Sequence, residues 1–222
     1  MDPNIPVYIL AGGKSSRFGN PNDDKALAEI NNTPLILRLA RQLQPIANPL
    51  TIVADRADKY QYLGLNTVAD HQPGLGPLAG LHRALSHHRS ISNNTKTPVP
   101  LNNNWLLLLS CDLILIKYNW VRALHDEIHH TPTQDIEPQV IAFADFDQNH
   151  QPTRIHPMPA LYHQSISPTV DQHLQAHDLS MQSLIRALTS QLLAIPEDWP
   201  DIPQINTTEE YQQIVDNPPE NT

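Results

Sequence analysis

The first apolar run along the chain is Val7-Tyr8-Ile9-Leu10, and it breaks at Gly12-Gly13. A short, β-branched-rich run that enters a glycine turn is the pattern of a buried parallel strand. Between Pro34 and Leu43 the pattern changes: Leu35, Leu39 and Leu43 recur at helical spacing, and Pro45 stands just beyond as a stop signal. Leu50 to Ala54 predicts a second strand and Asn66 to Ala69 a third. Gly76 to Ser86 predicts a helix, with Pro77 at a position the first turn tolerates. Trp105 to Ser110 is the most apolar segment, which places it at the centre of a sheet. Trp120 to His129 predicts a helix and Val140 to Phe146 another strand, while Ala160 to Tyr162 is apolar but short. Val170 to Gln175 and Met181 to Leu193 predict helices. Strands alternating with helices argue for an α/β fold with a mainly parallel sheet flanked by helices.

The polar stretches divide this pattern. Residues 87–104 carry two prolines and five asparagines and read as a surface insertion ahead of the central strand. The tail, 217–222, reads as disordered. At 222 residues the chain is expected to form one domain over 1–216. Lys plus Arg number 14 against 23 Asp plus Glu, a formal charge of −9, which excludes a general nucleic-acid binder. No apolar run approaches the roughly 20 residues of a membrane span, and Met1-Asp2-Pro3-Asn4 opens no signal peptide, so a cytoplasmic protein is expected. The single cysteine, Cys111, cannot form an internal disulfide or a multi-cysteine zinc site and reads as a small buried residue. Twelve histidines are scattered without metal-ligand spacing.

Five segments carry candidate chemistry. Leu10-Ala11-Gly12-Gly13 with Arg17 and Lys25 follows the first strand, where open α/β sheets place ligands. Glycines let backbone N–H groups approach a phosphate, and Arg17 and Lys25 add charge. The competing reading is a plain strand-to-helix turn with solvated basic residues; neither a Walker A loop nor a dinucleotide fingerprint is present. Asp112 ends the most apolar strand and is a candidate Mg²⁺ ligand, or alternatively the cap of the next turn. Asp70 and the Gly76 to Gly80 run lie at another strand end opening a helix, suited either to an anion or to tight packing. Arg154 and His156-Pro157 precede Ala160-Leu161-Tyr162, and Asn206 stands beside Thr207, whose spacing to Glu210 predicts a capping box.

In order along nearly the whole chain, from Val7 to about Ile214, these segments resemble the MobA-type molybdenum cofactor guanylyltransferases. The resemblance rests on Leu10-Ala11-Gly12-Gly13 with Ser15, Arg17 and Gly19, then Asp24-Lys25-Ala26-Leu27, Gly76-Pro77-Leu78-Ala79-Gly80, Cys111-Asp112, His156-Pro157 with Ala160-Leu161-Tyr162, and Asn206-Thr207 with Glu209-Glu210. It implies a Rossmann-like nucleotidyltransferase fold with a nucleotide-binding half over about 1–115 and a pterin-side half over about 116–216. It implies transfer of GMP from GTP to the terminal phosphate of molybdenum-molybdopterin, with Mg²⁺ as cofactor. Lys25, Arg17 and Asp112 would act in catalysis, with Asp112 on the metal. Leu10, Ala11, Gly12, Gly13, Lys25, Asp55, Asp70, Gly76, Gly80 and Asp112 would line the nucleotide. Arg154, His156 and Asn206 would lie on the pterin side.

The resemblance further implies GTP and molybdenum-molybdopterin as substrates and transient contacts with cofactor-insertion machinery and apo-molybdoenzymes. A monomer that binds neither nucleic acid nor membrane is expected. Three positions depart from the pattern. Asp55 stands where the family often has Asn, Gln204 where it has Asn, and Ile114 where it has proline, which predicts a looser loop after the central strand. The alternatives left open are the sister cytidylyltransferase of the same cofactor, a sugar-phosphate nucleotidyltransferase and a non-catalytic cofactor carrier.

Overall fold

A computed structural model describes residues 4–12, 24–94, 104–129 and 137–219. Strand β1 (Ile5–Leu10) is buried at every residue, as its uninterrupted apolar run requires. It pairs in parallel with β4 (Ala47–Ala54) on one side and β6 (Trp105–Ser110) on the other. Strand β5 (Thr67–Ala69) extends the sheet beyond β4. On the far side, β8 (Pro152–His163) runs antiparallel between β6 and β7 (Val140–Phe146), and β9 (Ser190–Ala194) closes that edge parallel to β7. The order is β5-β4-β1-β6-β8-β7-β9, so the most apolar strand is the middle one of seven. A small hairpin, β2 (Glu29–Ile30) and β3 (Thr33–Pro34), stands apart from the sheet.

Side-chain alternation along the strands divides the core in two. Ile5, Val7 and Ile9 of β1 and Trp105, Leu107 and Leu109 of β6 face α1 (Leu35–Leu43), α3 (Tyr118–Asp126) and α6 (Thr208–Asp216). Tyr8, Leu10, Leu106 and Leu108 face α2 (Pro77–Asn94), α4 (Ser167–Gln175) and α5 (Met181–Arg186). The result is helices on both faces of a mostly parallel sheet that runs through both halves of the chain.

Three elements differ from the sequence pattern. Helix α2 continues to Asn94, so 87–94 is helix rather than inserted loop. His87 and His88 look like surface residues in sequence, but His88 is buried and the His87 Nδ1 meets the Tyr8 hydroxyl at 3.0 Å. The remainder of the expected insertion, 95–103, lies outside the described residues, as does the end of the tail. Helix α5 stops at Arg186, and 190–194 is a strand, because this short segment completes its backbone bonding on β7. The short apolar run at Ala160 is the end of a twelve-residue strand. Pro157-Met158-Pro159 bulge out between the Ala160–Ala142 and His156–Phe143 pairings, which is where a strand tolerates proline.

Candidate functional site

Because β1, β4, β5 and β6 are parallel, their carboxyl ends open on one edge of the sheet. Leu10, Ala11 and Gly12 leave β1 there, Asp55 leaves β4, Asp70 leaves β5 and Asp112 follows β6. The backbone is pinned across strands: Ala11 N–H donates to the Val53 carbonyl at 2.8 Å, and Cys111 N–H to the Leu10 carbonyl at 3.0 Å. A Cβ added at Gly12 would touch nothing within 4 Å among the described residues.

Lys25 comes to the same edge through a short 3₁₀ turn, Lys25–Leu27, which Asp24 caps by accepting the Ala26 N–H at 3.1 Å. The Lys25 Nζ then reaches Asp112 Oδ2 at 2.8 Å, across 87 residues of sequence. The other oxygen, Asp112 Oδ1, is buried and has no hydrogen-bond partner among the described residues. A buried acceptor without a donor is costly, and a hard cation is one way to satisfy it. The donor set therefore fits Mg²⁺ held by one carboxylate and completed by substrate phosphates.

Asp70 closes a turn by accepting the Gln72 N–H at 2.9 Å. Gly76 has φ +77°, a conformation that disfavours other residues, at the entry to α2. A Cβ on Gly80 would come within 2.8 Å of the Leu10 side chain, so this glycine lets α2 lie against the end of β1.

Two residues that the sequence reading did not single out, Lys59 and Tyr60, support this edge through Asp24. Lys59 Nζ bridges Asp55 Oδ1 at 2.9 Å and Asp24 Oδ2 at 3.2 Å. The Tyr60 hydroxyl donates to Asp24 Oδ2 at 2.7 Å and lies 3.4 Å from the Ala11 carbonyl. Burial, and then its bond to Asp24, push the Tyr60 phenol far up, so it stays a donor. Asp24 stands in a quoted motif, but nothing in sequence shows that it is the hub. Burial, and next the Asp112 charge, push the Cys111 thiol far up as well, which makes it a poor nucleophile.

The antiparallel course of β8 returns Arg154 and His156 to this same edge. His156 is buried, with Nε2 at 3.0 Å from Asp145 Oδ2, and Arg154 stands opposite Asp145 on β7. The His156 ring packs at 5.4 Å from Trp199, which lies 4.9 Å from Trp120 and 5.5 Å from Phe143. Asn206 is carried to the edge by backbone pairing: Ile205 N–H donates to the Asp112 carbonyl at 3.0 Å, and Gln204 bridges Leu113. The same pairing overturns the expected loose loop at Ile114. Its N–H donates to the Pro203 carbonyl at 3.1 Å, Ile116 N–H donates to Gln42 Oε1 at 3.2 Å, and Leu113 to Ile116 are buried. Tertiary bonding supplies the stiffness a proline would have given.

The structure thus gathers Leu10, Ala11, Gly12, Lys25, Asp55, Asp70, Gly76, Gly80, Asp112, Arg154, His156 and Asn206 along one sheet edge, while Gly13 and Arg17 lie outside the described residues. Asp55 faces Lys59 rather than the Lys25–Asp112 pair.

Glycine backbone, a lysine–aspartate pair and open strand ends on a mostly parallel sheet mark the class of the nucleotidyltransferases. Residues 7–192 match the MobA-like NTP transferase domain, and the chain belongs to that family. A probable molybdenum cofactor guanylyltransferase of Carboxydothermus hydrogenoformans is 34% identical over 77% of this chain and 72% of its own length. A molybdenum cofactor guanylyltransferase of Yersinia pestis is 29% identical over 86% of this chain and 85% of its own. The fold is shared with molybdopterin-guanine dinucleotide biosynthesis protein A of Archaeoglobus fulgidus, at a TM-score of 0.72 and 15% identity over 96% of this chain and 97% of that one.

Proposed function

We propose that the chain is a molybdenum cofactor guanylyltransferase, transferring GMP from GTP to the terminal phosphate of molybdenum-molybdopterin with release of pyrophosphate. The observation that carries the mechanism is the Lys25–Asp112 pair, whose second carboxylate oxygen has no partner among the described residues, beside the Gly12 backbone. The names of the relatives supply the substrates.

A phosphate monoester is already an anionic nucleophile, so the protein needs no nucleophile of its own. The terminal phosphate oxygen of molybdopterin bonds to the α-phosphorus of GTP, and the bond from that phosphorus to the bridging oxygen breaks. The electron pair leaves with pyrophosphate. Gly12 and Gly13 would orient the phosphates through backbone N–H groups, with Leu10 and Ala11 bordering them because the Ala11 N–H is already held by the Val53 carbonyl, and Lys25 with Arg17 would offset charge on the leaving group. Asp112 would hold Mg²⁺, which supplies Lewis-acid polarisation of the α-phosphate when bound. Asp55, Asp70, Gly76 and Gly80 border the nucleoside, and Arg154, His156 and Asn206 border the pterin. This divides the molecule into a nucleotide half, about 1–115, and a pterin half, about 116–216. No described helix is long and apolar enough to cross a membrane. A monomer acting in the cytoplasm is part of the proposed reading. The product would pass through transient contacts to cofactor-insertion machinery and apo-molybdoenzymes.

Calorimetric titration with GTP, CTP, ATP and UTP, each with Mg²⁺, tests the reading. GTP is expected to bind tightest, and preference for CTP would assign the sister cytidylyl transfer instead. Pyrophosphate release with molybdopterin present is expected to fall by at least about 10²-fold in Asp112→Ala, in line with losing one preorganised charge contact. Full activity in that variant would remove Asp112 from the site.

A further inference from the structure

Three carboxylates, those of Asp24, Asp55 and Asp112, are each ion-paired at the edge where the proposed polyphosphate docks, Asp24 and Asp55 to one shared lysine. Two carboxylates held on one ammonium group repel each other and any further anion that approaches. Lys25 answers Asp112. Lys59 answers the other two from one ammonium group, at 3.2 Å from Asp24 Oδ2 and 2.9 Å from Asp55 Oδ1. Its side chain is only 24% exposed, and its ammonium lies 5.4 Å from the centre of the Tyr60 ring. Burial alone would lower its pKa, but the bonds to Asp55 and Asp24 more than offset this, so Lys59 stays charged.

The geometry reaches the reacting groups through Asp24. One Asp24 oxygen caps the turn that carries Lys25. The other is shared by Lys59 and Tyr60, and Tyr60 touches the Ala11 carbonyl. We infer that Lys59 is a positioning residue for the nucleotide: its one positive charge offsets half of the negative charge that Asp24 and Asp55 carry and so helps a polyphosphate settle on the Gly12 backbone beside Lys25. The inference rests on the nucleotidyltransferase reading above and adds to it a residue that touches neither the metal ligand nor the reacting atoms.

The test is calorimetric titration of the full chain with inorganic triphosphate, and in parallel with GTP, each with Mg²⁺. Lys59→Met is expected to weaken both by about tenfold, the scale of one uncompensated charge near the ligand. Lys59→Arg is expected to keep most of the affinity. Adding Asp55→Asn to Lys59→Met is expected to recover much of the loss, since one stranded charge is removed. A lysine that merely held the loop together would not be rescued this way, because the double variant still lacks the bridge. Asp55→Asn alone is expected to tighten triphosphate binding, which keeps the inference testable should Lys59→Met fail to fold. Equal triphosphate affinity in wild type and Lys59→Met, or no rescue, overturns it. Wild-type preference for CTP would overturn only the guanylyl assignment, whereas failure of the wild type to bind triphosphate would overturn both.

Discussion

Single residues at the strand edge show how local chemistry and packing share one position. Gly80 is the clearest case. Gly80→Ala would drive a methyl into the Leu10 side chain, which is buried and has little room to turn aside. The expected cost is about 1–3 kcal/mol of stability, typical of overpacking. Since Leu10 continues directly into Ala11-Gly12, a fall in GTP affinity is expected to accompany the fall in Tm. Unchanged Tm and affinity would show that the site absorbs the methyl. The glycine was legible in sequence through its motif, but its physical reason, the crossing of α2 over β1, was not. Lys59 was invisible because a lysine in a polar loop has the same sequence signature whether it is solvated or clamped between two carboxylates.

Among the elements, α6 is the one whose start the sequence spelled out. Thr207 accepts the Glu210 N–H at 3.1 Å, and Glu210 returns a bond to the Thr207 N–H at 3.0 Å, the reciprocal pair expected from their spacing. Thr207→Ala is expected to cost about 1 kcal/mol and lower Tm by about 2–4 °C in a chain of this size. The effect reaches the site, because Tyr211 of α6 donates to the Glu29 carbonyl at 2.7 Å, next to the Lys25 turn. No change in Tm would mean that packing of α6, not its cap, holds it. By contrast β8 and β9 were misread for opposite reasons. Prolines concealed β8, whose bulge accommodates them, and a helical run masked β9, whose bonding partner β7 lies far off in sequence. The β2–β3 hairpin also went unread, although Asn31 and Asn32, with φ of 51° and 56°, are residues that suit such a turn.

For the whole molecule two half-buried histidines set the response to mild acid. Burial, and then the nearby Arg83 and His88, hold His87 below its usual 6.5, and burial does the same to His163 against a smaller opposing pull from Glu137. The unfolded chain takes up these protons near pH 6.5 while the native state resists them, so their stabilisation is present above 6.5 and is lost as pH falls through it. Asp55 behaves as an acid with the opposite charge. Burial would raise it, but the Lys59 bond prevails, so its contribution is present above 3.8 and is lost only at lower pH. Tm is therefore expected to drop between pH 7.5 and 5.5 before any carboxylate titrates. His87→Gln, which keeps a polar partner for Tyr8, is expected to shrink that drop, and an unaltered pH profile would exclude His87 as its source.

Periodicity and motif order were enough to establish the α/β class, the central strand, the edge on which the parallel strands end and the resemblance that named a chemistry, because buried parallel strands and glycine turns are local patterns. Long-range pairing decided the rest. It fixed the antiparallel return of β8 that brings His156 to the edge, the contact of Lys25 with Asp112 across 87 residues, and the clamp of Lys59 on Asp24 and Asp55. Such contacts depend on where distant segments meet in space, and no local run of residues encodes that.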